Sequence, residues 1–269
     1  MHCPGNIPFQ SKACFMISIP GPSKIKESRE GDGSFLRSAW NKQVVVPKPG
    51  KASCLVFLTE PTGLATEQYK ILRRRLCNLQ PLGGVLLITS PSPGEGKTLT
   101  STNLAWSLAE AGQKTCLVDL DLRAPGVSNA LDIKIAEDGI EDVLKGKRTI
   151  KEALRQVGDG SLHVLGVRER CASMGGLLSS ALITPLLFEL RSMFQWVILD
   201  FAPIIPMADV GEVLPCVDGA LMVVRSGKTS KDMIAPSLEI LGSKLWGVVM
   251  NDALIKGSAY YGHYGVHRG

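Results

Sequence analysis

No apolar run in this sequence is long enough to cross a membrane. The longest, at residues 85–88, 220–224 and 248–250, fall far short of the roughly 18 apolar residues that a spanning helix needs, and they read as buried strands. A continuous apolar leader is also lacking, because Pro4, Pro8, Lys12 and Cys14 interrupt the first 20 residues, so a cytoplasmic protein is expected. The seven cysteines (3, 14, 54, 77, 116, 171, 216) are odd in number and never spaced as CxxC, which argues against a disulfide framework or a thiolate metal site and for reduced thiols. Beyond residue 51 the chain has no charge excess, with 22 Lys+Arg against 22 Asp+Glu. The whole net charge of +5 lies in residues 1–51, which hold 8 basic and 3 acidic residues. Such a tail is by default solvated, and no nucleic-acid partner is expected from it. Tyrosine is scarce too. Of only four, three lie within the last ten residues, at Tyr260, Tyr261 and Tyr264.

What is present has a regular order. Residues 21–51 are crowded with breakers such as Gly21-Pro22 and Pro47-Lys48-Pro49-Gly50, and read as a linker. A short apolar run at 54–58 follows, and then Thr62 is placed as the N-cap of a helix carrying Leu64, Tyr69, Leu72, Leu76 and Leu79. From residue 84 onward short β-rich runs, at 84–89, 115–119, 162–165, 196–200, 219–224 and 245–250, alternate with helical stretches, the strongest at 98–111, 180–193 and 231–242. This is the pattern of βαβ units around a mostly parallel sheet with helices on both faces. The expected division is a basic tail and linker (1–51), an apolar segment with a helix (52–80), an α/β domain (81–252) and a flexible tyrosine-containing tail (253–269).

The first strand of that series runs into Ser90-Pro91-Ser92-Pro93-Gly94-Glu95-Gly96-Lys97-Thr98-Leu99 and then into a helix. Phosphate oxygens need converging backbone N–H donors, so Gly94 and Gly96 let the main chain curl close while the helix start adds its partial positive charge. Lys97 is expected to reach the outer phosphates and Thr98 to offer its hydroxyl to magnesium. Pro91 stands where the pattern GxxxxGK[ST] has its first glycine; the strand and helix on either side restore the assignment. Two later strands end in carboxylates, Asp119-Leu120-Asp121-Leu122-Arg123 and Leu199-Asp200. Carboxyl ends of strands are where an open α/β sheet places ligand-binding groups. Asp209 and Asp218, in breaker-rich loops, are read as structural.

These elements together resemble the bacterial tyrosine autokinases of capsular and exopolysaccharide production, relatives of the chromosome-partition and septum-placing ATPases. The resemblance spans residues 53–269. Residues 93–98 look like the family's Walker A, residues 119–123 with Pro125 like its Walker A′, and Asp200-Phe201-Ala202-Pro203 like its Walker B. It implies a partition-ATPase-like P-loop fold and ATP with Mg2+ as cofactors. Lys97, Asp119, Asp121 and Asp200 would be catalytic, residues 93–99 would contact the nucleotide with Asn251 near its adenine, and Thr98, Asp121 and Asp200 would hold the metal. Asp119 is the first candidate for the base that deprotonates the substrate, although sequence does not separate it from Asp121. Tyr260, Tyr261 and Tyr264 would be phosphorylated by a neighbouring subunit.

Glu67, Lys70 and Arg73 look like the ExxRxxR helix that assembles such kinases into rings, with lysine in place of the first arginine. A membrane-embedded chain-length-determining activator is implied as partner, recruiting the chain to the inner face of the membrane. Residues 54–58 and the basic tail are candidate docking elements. The competing reading is a non-kinase ATP switch dimerising on a membrane or partner surface. Such relatives carry a second lysine early in the loop, where this chain has Ser92.

Overall fold

The structure is a computed structural model that describes residues 13–16, 43–47, 54–171, 176–205 and 209–253. Nine strands lie among the described residues: β1 (Ala13–Met16), β2 (Gln43–Val45), β3 (Gly84–Thr89), β4 (Thr115–Asp119), β5 (Arg155–Val157), β6 (Leu162–Leu165), β7 (Trp196–Asp200), β8 (Gly219–Arg225) and β9 (Leu245–Ala253). They form one sheet in the order β1-β9-β8-β3-β7-β4-β6-β5-β2. Only the β1/β9 and β5/β6 pairs are antiparallel. The helices are α1 (Val56–Thr59), α2 (Leu64–Leu79), α3 (Lys97–Glu110), α4 (Val127–Leu131), α5 (Ile140–Leu144), α6 (Ile150–Ala153), α7 (Ser180–Met193), α8 (Val210–Val213) and α9 (Lys231–Leu241).

Alternate residues of β3 enter different cores. Val85 and Leu87 pack with the α7 side, whereas Leu86 and Ile88 pack with the α2 and α3 side. A strand buried on both faces needs no polar alternation, which is why the central strands appear in the sequence as unbroken apolar runs. The interior of the sheet thus follows the expected βαβ order. At its margins the chain differs from the reading above. Two segments of the stretch taken as tail and linker, β1 and β2, join the sheet as edge strands. Gly63, not Thr62, is the N-cap of α2, and no side chain caps that end. The apolar run at 54–58 folds into the single turn α1. Cys77, Cys116, Cys171 and Cys216 form no disulfide.

Strand order places the functional ends. The chain leaves β3, crosses by α3 and returns as β4 two positions away, because β7 inserts between them. The carboxyl ends of β3, β7 and β4 therefore lie side by side, at the crevice where open α/β sheets bind ligands.

Candidate nucleotide site

The loop after β3 is tied at its base to the loop after β7. Thr89 donates its hydroxyl to the Ala202 carbonyl at 2.8 Å, and the Ile204 N–H donates to the Ser90 carbonyl at 2.8 Å. Gly94 and Gly96 have φ of +77° and +97°, a left-handed conformation that favours glycine. A Cβ on Gly96 would also lie 2.0 Å from Asn251 Nδ2. Helix α3 begins immediately afterwards, so Lys97 and Thr98 occupy its first turn with the orphan N–H groups of the helix start.

Pairing register brings in the carboxylates. Asp119 and Asp200 are direct partners on adjacent parallel strands, and both are fully buried. Thr98 donates its hydroxyl to Asp200 Oδ2 at 2.7 Å, and Lys97 Nζ lies 4.0 Å from Asp121 Oδ2. The structure therefore brings Lys97, Thr98, Asp119, Asp121 and Asp200 into one cluster. Pro93 and Gly94 stand exposed at the tip of the loop, Glu95 is buried, and Leu99 lies half-buried in the first turn of α3, its carbonyl accepting from Asn103 at 2.8 Å.

The aspartates are not equivalent. Asp119 accepts three backbone N–H groups, from Asp121 (3.2 Å), Gly126 (3.1 Å) and Val127 (3.0 Å), and so braces the turn that leads into α4. Asp121 accepts from the Ala124 N–H at 3.0 Å, leaving Oδ2 toward Lys97. Burial and then the neighbouring Asp200 charge hold the Asp119 carboxyl well above the usual carboxylate range. Burial pushes Asp200 up to about 6, against the Thr98 hydrogen bond and the Lys97 charge, which pull it down. Asp200 Oδ1 is buried with no hydrogen-bond partner. Asp121 and Asp200 lie near the one amine, and the unsatisfied Asp200 oxygen beside the Thr98 hydroxyl has the hard oxygen chemistry that suits a divalent cation such as Mg2+, although no cluster of three metal-binding side chains lies among the described residues.

The bracing role of Asp119 is testable by itself. An Asp119→Ala variant leaves three N–H groups without their acceptor, at about 1–3 kcal/mol for each that water does not reach. A lowered thermal unfolding midpoint is expected even without nucleotide, and an unchanged midpoint would show that the turn holds without the carboxylate.

Several residues fall in other places. Asn251 donates from Nδ2 to the Glu95 carbonyl at 3.0 Å, so it touches the phosphate loop itself. On α2, Lys70 pairs with Glu67 at 2.9 Å, while Arg73 Nη1 donates to the Ser107 carbonyl of α3 at 2.8 Å. Arg73 is thereby a link between helices within the chain. Asp218 sits at the start of β3, accepting from the Val85 N–H and from Arg191, each at 2.7 Å, and Asp209 pairs with Arg123 at 3.1 Å. Both fit the structural reading. Tyr260, Tyr261 and Tyr264 lie outside the described residues. A groove of about 470 Å³ between α5–α6 and α7, lined by Lys145, Arg148, Leu182 and Pro185 among others, shares no residue with this site.

From sequence alone nothing marks Asn103 or Asp252, and residues 223–229 are legible only as a segment that closes the sheet, with no role for Arg225 at the phosphate loop. Buried Asn103 accepts from the Val56 N–H (2.8 Å) and donates to the Cys54 (2.9 Å) and Leu99 (2.8 Å) carbonyls, fastening the segment around α1 to the phosphate-loop helix. The spacing of these partners, 47 and 49 residues apart, leaves no local signal.

A curled glycine loop between a buried strand and a helix, with lysine and carboxylates at adjoining strand ends, defines a P-loop nucleotide-binding domain. The pattern of the CobQ/CobB/MinD/ParA nucleotide binding domain matches residues 86–253. Tyrosine-protein kinase YwqD of Bacillus subtilis is 34% identical over 216 residues, 78% of this chain and 91% of that protein. The crystal structure of the chimerical protein CapA2B2 superposes with a TM-score of 0.70 at 25% identity, covering 75% of this chain and 91% of that one. Succinoglycan biosynthesis transport protein ExoP of Rhizobium meliloti is 29% identical over 173 residues, 62% of this chain but 22% of that protein. The chain belongs to the bacterial tyrosine-protein kinases, within the CobQ/CobB/MinD/ParA nucleotide-binding family. Among the described residues no helix is long and apolar enough to cross a membrane.

Proposed function

We propose that this protein is an ATP-dependent protein-tyrosine autokinase acting in capsule or exopolysaccharide production, and that it phosphorylates Tyr260, Tyr261 and Tyr264 of a neighbouring copy. The observation that carries this reading is the meeting of Lys97, Thr98, Asp121 and Asp200 beside a loop whose backbone is shaped for phosphate.

The reaction is an in-line transfer. The tyrosine oxygen bonds to the γ-phosphorus as the bond to the β-phosphate oxygen breaks, giving ADP, phosphotyrosine and a proton. Lys97 and the amides of residues 94–98 hold the phosphates and oppose the charge on the leaving group. Asp121, Asp200 and Thr98 are the groups that would hold Mg2+, which when bound neutralises charge on the β- and γ-phosphates. The phenol, with an ordinary pKa of about 10, gives up its proton to a carboxylate of the Asp119/Asp121 pair. Asp119 is the stronger proton acceptor because of its burial, and Asp121 has the oxygen less occupied by backbone donors.

Regulation belongs to the same reading. A membrane-embedded activator docks on residues 54–58 or on the basic tail, and Asn103 gives the first of these a direct connection to α3. Self-association uses the exposed side of α2 through Glu67 and Lys70, with Arg73 holding α2 to α3. Each phosphate adds about −1.5 to −2 charges to the tail and repels it from the acidic site.

The test is to incubate the purified chain and a candidate activator with ATP and Mg2+ and map phosphate by mass spectrometry. Label on Tyr260, Tyr261 or Tyr264 is expected. ATP consumption without tyrosine label would instead favour the non-kinase switch.

A further inference from the structure

Residues 94–96 of the phosphate loop are held by side chains from elsewhere in the chain. Two consecutive carbonyls of this limb accept hydrogen bonds from side chains at the carboxyl ends of β8 and β9. Arg225 Nη1 donates to the Gly94 carbonyl at 3.4 Å, and Asn251 Nδ2 donates to the Glu95 carbonyl at 3.0 Å. In a planar trans peptide the C=O and the following N–H point in opposite directions. Holding the Gly94 carbonyl toward Arg225 therefore turns the Glu95 N–H away from it, and holding the Glu95 carbonyl toward Asn251 turns the Gly96 N–H away from that amide. Successive N–H groups turned to a common side are what makes an anion-binding concavity.

Both donors are themselves fixed. The Asp252 N–H donates to Asn251 Oδ1 at 2.9 Å, and since a backbone N–H only donates, the amide oxygen must face it and the amide nitrogen must face Glu95. Asp252 has φ of +59°, unusual for a residue with a Cβ, and its Oδ2 accepts from both Nε and Nη2 of Arg225 at 3.0 Å. Strand register supplies the remaining alignment, with Arg225 and Asn251 as direct partners on β8 and β9. This arrangement sets one guanidinium and one amide against neighbouring peptide groups of the phosphate loop.

We propose that Arg225 and Asn251 are positioning residues that set the direction of two successive peptide planes in the phosphate loop, with Asp252 aiming Arg225. They act on the phosphates of any nucleotide. This inference rests on the nucleotide-site reading above and adds to it the cause of the loop's shape before ligand arrives. A preformed cradle avoids the ordering cost at binding, so its loss lowers affinity.

The experiment measures binding of Mg-ADP and, by competition, of inorganic tripolyphosphate with Mg2+ to the purified full chain, its Asn251→Ala, Arg225→Ala, Arg225→Lys and Asp252→Asn variants. Thermal unfolding of each variant reports whether it is folded, and Asp252→Asn, which keeps shape and loses only charge, is the mildest. Asn251→Ala and Arg225→Ala are expected to weaken both ligands by the same factor, about tenfold, the effect of one well-placed hydrogen bond or slightly more. Arg225→Lys is expected to stay weak, because lysine keeps the charge but cannot hold Asp252 and Gly94 with one planar fork.

Full recovery by Arg225→Lys would mean simple charge attraction and would overturn the proposal. So would a loss confined to Mg-ADP, which would make Asn251 a base contact, or unchanged affinity in folded variants. If the unaltered chain binds neither ligand, the nucleotide-site reading fails and this inference with it, a result distinct from the other three.

Discussion

Replacing Lys97 by methionine is expected to lower tail phosphorylation by about 10³-fold, roughly 4 kcal/mol of transition-state stabilisation, with the fold retained. Methionine matches the length of the lysine stem, so packing at this buried position changes little. What disappears is the amine within 4.0 Å of Asp121, in a site that also holds two fully buried aspartates. During transfer negative charge moves toward the leaving oxygen, and in a water-poor site an ammonium there counts for far more than at a surface. Nucleotide affinity falls as well, since the same amine meets ground-state phosphate. Single-turnover labelling at saturating ATP separates the two effects. A variant that labels at the rate of the unaltered chain would remove Lys97 from the mechanism.

Asp200→Asn is expected to move activity and stability in opposite directions. Asparagine retains an acceptor for the Thr98 hydroxyl, while the buried charge beside Asp119 and Asp121 is removed. The fold holds the Asp200 carboxyl up at about 6, so its ionised form at neutral pH is disfavoured by the folded chain. Relief on the order of 2 kcal/mol is expected, corresponding to an unfolding midpoint higher by about 5 °C without ligands. Phosphorylation should fall by about 10²–10³-fold, because the variant loses a metal-holding carboxylate. Stability gained where function is lost is the usual mark of a site kept under electrostatic stress. A lowered midpoint with normal labelling would contradict both halves of the reading.

The parts of this fold legible from sequence are those whose surroundings are uniform. The boundaries expected at residues 84–89, 115–119 and 196–200 match because strands buried on both faces are mostly apolar runs ending at a turn or an aspartate, and 162–165 matches despite His163. Helix α7 was bounded correctly too, and α3 begins one residue before the expected start because Gly96 leaves its left-handed conformation directly into Lys97. The edge strands β1 and β2, four and three residues long, were hidden: so short a piece carries no period, and its pairing is decided by a partner far along the chain. The same cause hid the site's supports. Arg225 and Asp252 meet through the register of β8 against β9, and Asn103 meets Val56 across 47 residues, neither of which leaves a local pattern. Arg73 shows the converse. A helix-face motif suggested a surface contact, and one guanidinium nitrogen also bonds the neighbouring helix, which no helix-face pattern marks.

The most direct measurement is a crystal structure of the chain with a non-hydrolysable ATP analogue and Mg2+. The triphosphate is expected against the backbone of residues 94–98, with the outer phosphates beside Lys97 and the cation held through Asp200 and Asp121. A nucleotide found elsewhere, or one bound there while Lys97 and Asp200 face away from its phosphates, would contradict the account.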